Sequence, residues 1–131
     1  MENAINISKT SRIIGWVLSI LVILFLLFDV SGKFMKPEVV VKGTMDLGYP
    51  ESTITLLGII LLICTLLYAF PKTAILGAVL LTGYMGGAIA THIRVENPLF
   101  THILSPVYMA IFFWGGLYLR SMKLRRMVKG G

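Results

Sequence analysis

Four apolar runs, separated by three polar connections, decide what this chain can fold into. Ile13 to Phe28, Thr53 to Phe70, Ala74 to Thr91 and Ile103 to Leu119 are almost free of charge. A helix of about 20 apolar residues is what crosses a hydrocarbon layer about 30 Å thick. The composition agrees, with 56% hydrophobic and 14% charged residues and a mean hydropathy of +0.86, outside the range of soluble globular domains. The chain reads as an all-α polytopic membrane four-helix bundle, a single membrane domain over residues 1–131. The spans fall at about 13–32, 53–70, 74–91 and 103–120, followed by a basic tail at 121–131.

The first run is short. As a helix it covers roughly 24 Å at about 1.5 Å per residue, so it has to continue through Asp29 to Gly32 to cross. A cleaved leader is the rival reading, because a basic start before an apolar core is the leader pattern. No A-x-A site follows, and three more spans lie downstream.

The long connection, Ser31 to Ser52, is too charged to span. Pro37 before Glu38 suits the first turn of a helix and Gly48 suits its stop, which predicts a short interfacial helix at about 37–47. The competing strand at Val39, Val40 and Val41 would have no partner for its backbone groups. Pro50 and Glu51 then open the second span. The turn at Pro71 to Thr73 makes spans two and three an antiparallel hairpin, with Thr73 an acceptable cap for the third.

Span three is rich in small residues. Gly83 and Gly87 form a G-x-x-x-G pair and Gly86 with Ala90 continues the face, a pattern that lets helices approach closely in lipid. This predicts helix packing through Gly83, Gly86, Gly87 and Ala90, with span three at the centre of the bundle; an oligomer through the same face is the alternative. Cys64, the only cysteine, lies inside an apolar run and reads as a small packing residue.

The net charge of +6 does not mark a nucleic-acid binder, because the basic residues flank apolar segments and suit anionic lipid headgroups. Lys9, Arg12, Lys72, Arg120, Lys123, Arg125, Arg126 and Lys129 share one side of a four-span chain. Against these eight, the other side holds four, Lys33, Lys36, Lys42 and Arg94. The positive-inside rule then places both termini in the cytoplasm.

The remaining polar residues gather on the opposite side: Asp29, Lys33, His92, Arg94, Glu96 and His102. Titratable groups at a membrane boundary are functional candidates because an unpaired charge there is costly. Asp29 and Lys33, four apart, share a helix face. A histidine can relay a proton to or from a quinone, with Arg94 polarising a carbonyl oxygen; alternatively the cluster binds an anionic or lipid-like ligand, with Arg94 and Lys33 as counter-ions. Capping, snorkelling and loop locking are the structural reading of the same residues. Two histidines and a carboxylate spread over a loop lack metal-ligand spacing, so no metal is expected. Tyr49, Tyr84, Tyr108, Phe112, Phe113, Trp114 and Tyr118 read as core and interface residues, with a ring-stacking quinone pocket the alternative.

L-G-Y-P at 47–50, Gly77-Ala78, and above all G-G-A-I-A-T-H-I-R-V-E-N-P-L-F-T-H at 86–102 resemble the DoxX-like family of small bacterial membrane proteins. The resemblance covers nearly the whole chain and implies a four-helix protein of the bacterial cytoplasmic membrane with a polar end outside. Some relatives are associated with a thiosulfate:quinone oxidoreductase and others with thiol-stress systems. The resemblance therefore implies either an accessory or catalytic subunit of a quinone-linked system, working with a partner redox protein, or a non-enzymatic membrane protein. The latter would bind or move a small hydrophobic or anionic ligand or scaffold a partner.

Overall fold

The computed structural model describes residues 7–130. Six α-helices follow one another: α1 (Lys9–Met35), α2 (Glu38–Asp46), α3 (Ile54–Ala69), α4 (Ala74–Arg94), α5 (Ser105–Arg120) and α6 (Met122–Val128), with no strand among the described residues. With the turns at Glu51–Thr53 and Leu99–Ile103 added to α3 and α5, four helical stretches of 27, 19, 21 and 22 residues are long and apolar enough to cross a membrane.

α1 runs further than the apolar run at both ends. Ser8 caps it by accepting from the Ser11 amide at 3.1 Å, and Lys36 stops it in the left-handed region (φ 53°), its amide donating to Gly32 O. α2 is the expected interfacial helix, and its run of valines is helical. Thr73 differs from expectation. It makes no side-chain cap for α4; its hydroxyl donates back to Leu67 O of α3 at 2.7 Å, which satisfies one of the carbonyls that a helix end leaves open.

The four long helices form a ring in which α1 packs on α5 and α3, and α4 packs on α3 and α5. Span three is thus one wall of the ring and not its centre. Val22, Leu26, Leu61, Ala78, Leu81 and Phe113 fill the interior, each at most 1% exposed. Leu24, Phe28, Leu56, Ile63, Val79 and Ile111 face outward, as lipid-facing residues must where no water drives apolar groups inside.

The close contacts fall on glycines other than the expected ones. No atom comes within 4 Å of where a Cβ would stand on Gly83, Gly86 or Gly87, and Ala90 is exposed, so this face meets no other helix. α3 and α4 touch instead at Gly77, where a Cβ would collide with the backbone of Tyr68. α1 and α5 cross at Gly15 and Gly116: a Cβ on Gly15 would lie 2.7 Å from Gly116 O, and one on Gly116 would lie 2.8 Å from Ser19 Oγ. The crossing point depends on both helices of a pair, and a small-x-x-x-small pattern on one helix specifies only half of it.

Candidate functional site

One end of the ring is not filled. A cavity of about 400 Å³ opens there between α1, α3, α4 and the start of α5, with Thr44 of α2 and Leu47 and Tyr49 just beyond it at its mouth. Two helix faces with four-residue spacing build opposite walls, Phe25, Asp29 and Lys33 on α1 and Tyr84, Ala88 and His92 on α4. That spacing puts successive residues one above another on a helix. Leu26, Leu57, Met85, Pro106 and Met109 supply an apolar lining.

Asp29 and Lys33 neutralise one another, with Lys33 Nζ 2.7 Å from Asp29 Oδ1. His92 is half-buried. Its Nδ1 lies 2.8 Å from Asn97 Nδ2, and its ring meets that of His102 edge to face at 5.6 Å. An amide nitrogen can only donate, so Nδ1 accepts and the hydrogen of the neutral ring sits on Nε2. Nε2 has no hydrogen-bond partner among the described residues.

The other three expected residues are not in the cavity wall. Arg94 Nη2 donates to Leu47 O at 2.6 Å and ties the end of α4 to the end of α2. Glu96 is exposed and takes a left-handed backbone conformation (φ 58°), where the chain reverses after α4. His102 is also exposed, bonded to the Thr101 hydroxyl at 2.8 Å. Its ring reaches His92 and not the cavity. The cluster thus separates into three wall residues, Asp29, Lys33 and His92, and three that shape the rim.

Two tyrosines complete the polar side of the wall. Thr91 donates to Gly87 O at 2.8 Å, so the 2.8 Å contact between Tyr49 and Thr91 has Tyr49 as donor. The Tyr84 hydroxyl makes no hydrogen bond among the described residues, and none of their buried side-chain nitrogens and oxygens lacks a partner. That hydroxyl is therefore accessible, on a side chain that lines the cavity. The eight-residue spacing from Tyr84 to His92, two steps of four through Ala88, is the signal that finds it. Gly83 and Gly87, which fail to pack a helix, also line this space and keep the α4 wall thin.

The described residues contain no group of three or more His, Cys, Asp or Glu placed to hold a metal ion. Apolar floor, accessible donors and a self-neutralised ion pair at one end of four apolar spans define a multi-pass membrane protein with an amphipathic cavity. No curated protein and no solved structure matches the chain. The DoxX-like family matches it over residues 17–116, and the chain belongs to that family.

Proposed function

We propose that the cavity receives the head of a quinone-type molecule, and that the protein serves a membrane redox system by binding and orienting it. The observation that carries this reading is the pair of donors on one face of α4. The Tyr84 hydroxyl and His92 Nε2 have no hydrogen-bond partner among the described residues and belong to side chains that line the cavity beside an apolar floor. A quinone ring offers carbonyl acceptors on a flat apolar body and suits such a lining. The cavity's volume lies within the range of about 300–1,000 Å³ common for small-molecule sites. Electrons would come from a partner redox protein or a reduced substrate.

A second reading, a binding or carrier protein without turnover, is favoured by the partner of His92. Asn97 is an amide, so no carboxylate behind the ring favours an imidazolium as it would for a general base. An anionic ligand fits less well. Lys33 is already neutralised by Asp29, and Arg94 is held on Leu47 O outside the cavity wall.

The basic residues at the far end support an orientation with both termini in the cytoplasm of a bacterial inner membrane. The deciding experiment is binding of a quinone analogue to the protein reconstituted in lipid. Saturable binding weakened by His92→Ala supports the reading, and an absence of saturable binding sinks it. Quinone reduction by a partner complex that depends on this chain separates the redox role from carriage.

A further inference from the structure

The start of α1, the turn at 70–73 and the end of α5 converge at the other end of the bundle on Arg120, a cation only 9% exposed. Its Nε donates to Ser19 Oγ at 2.8 Å, and Nη2 reaches Tyr68 O at 3.4 Å. The guanidinium lies over the Trp16 ring at 4.1 Å and 5.3 Å from the Tyr68 ring centroid. Every one of these partners is neutral. Nη1 makes no hydrogen bond among the described residues, and none of their buried side-chain nitrogens lacks a partner, so Nη1 is left accessible. It belongs to a side chain that lines a second cavity, of about 270 Å³, shared with Arg12, Trp16, Pro71 and Ser121.

A nearly buried cation at a membrane boundary calls for a counter-charge. The described carboxylates do not supply it: Asp29, Glu38, Asp46, Glu51 and Glu96 all belong to the His92 end, where the one described ion pair also lies. The sixth acidic residue, Glu2, is outside the described residues. A planar guanidinium fixed by stacking, with a donor edge left over, is the arrangement that takes phosphate oxygens.

We infer that the Arg120 pocket is a binding site for a phosphate oxyanion. Nη1 of Arg120 meets it from the interior, and Arg12, exposed on the rim, supplies the second positive charge. Such a phosphate comes from a lipid headgroup or from dissolved phosphate. The outward-facing Ile13 and Val17 beside Trp16 offer a path for acyl chains and favour the lipid.

The test uses the full chain in maltoside micelles, which carry no phosphate, with thermal unfolding followed while phosphatidylglycerol or inorganic phosphate is titrated in separately. A saturable rise in the unfolding midpoint is expected. Arg12→Gln should raise the half-saturating concentration about ten-fold, equivalent to about 1.4 kcal/mol. Arg126→Gln, an equal loss of charge on α6, should leave it within about two-fold, since salt-screened distant charge contributes little. Because Arg120→Gln risks misfolding, Arg120→Lys serves as the interior variant; it keeps the charge, loses the fork and should weaken binding. A response to phosphatidylglycerol alone assigns the lipid, and a response to inorganic phosphate assigns the dissolved ion. No saturable response to either, or equal losses in Arg12→Gln and Arg126→Gln, would overturn the site. So would a Glu2→Gln variant that gains a phosphate response absent from the parent, because the chain's own carboxylate would then be the occupant.

Discussion

Arg94, the last residue of α4, donates through Nη2 to the backbone carbonyl of Leu47, one residue past the end of α2, at 2.6 Å. Gly48 makes room for it: at φ 93° it adopts a conformation that side chains avoid, and a Cβ there would stand 2.5 Å from the same nitrogen. α2 makes few other contacts with the ring, so this bond is a principal tie between the end of α2 and the end of α4. Arg94→Ala should speed amide hydrogen exchange in α2 and leave α1 and α5 unchanged. A charged donor to a backbone carbonyl contributes about 1.5–3 kcal/mol, with the lower end expected for this exposed side chain. Equal exchange in the parent and the variant would remove Arg94 from this role.

Gly77 and Gly86 stand on one helix and should respond oppositely to the same change. Gly77→Ala drives a methyl into the Tyr68 backbone and should cost about 1–3 kcal/mol, as overpacking does. Gly86→Ala meets open space and should be neutral or stabilising by up to about 1 kcal/mol through helix propensity. Thermal unfolding of both variants in one detergent gives the comparison. A large loss from Gly86→Ala would mean that this face contacts a second copy of the chain.

Tyr84→Phe removes a hydroxyl that makes no hydrogen bond among the described residues, so stability should hold while affinity for a quinone analogue falls about five-fold, near 1 kcal/mol. Unchanged affinity with a lower unfolding midpoint would make Tyr84 structural.

Asn97→Asp replaces the donor beside His92 Nδ1 with an acceptor. At a pH high enough to keep the ring neutral beside the new carboxylate, its hydrogen then sits on Nδ1, leaving Nε2 as an acceptor. Affinity for the same analogue should fall by about the factor seen for Tyr84→Phe, and nitrogen chemical shifts of the imidazole should report the exchanged tautomer. A shift pattern identical to the parent would refute the assignment of Nε2 as donor.

Ser19→Ala takes away the side-chain acceptor of Arg120 Nε. A buried charged donor left without a partner costs about 1–3 kcal/mol, read as a lower unfolding midpoint in phosphate-free detergent. An unaltered midpoint would show that the Arg120 network adds nothing to the bundle.

The spans and α2 were legible because hydrophobic length and proline position are local properties of a sequence. Asp29 with Lys33 was legible for the same reason, as a pair four apart on one helix. Arg94 reads in the sequence as a member of the polar cluster, but its tie to Leu47 is not legible there, because its partner is a main-chain carbonyl, and every residue has one. The packing glycines were misplaced from the G-x-x-x-G at 83 and 87. The working crossing uses Gly15, Ser19 and Gly116, residues about a hundred positions apart, whose meeting depends on the tilt of two helices. The sequence leaves Tyr84 between a core or interface role and a pocket role, because an unsatisfied hydroxyl is a fact about neighbours, and neighbours come from the fold.

The contact between Gly15 and Gly116 also sets an order of assembly. The first and last long helices are partners, so during synthesis α1, α3 and α4 exist before the helix that closes the ring. The wall contributed by Ser105, Pro106 and Met109 arrives last, and chains are made from the N-terminus. Until then the polar faces of α1 and α4 lie open along one side of the nascent bundle. A chaperone or insertase that shields that side would be working on the future binding site.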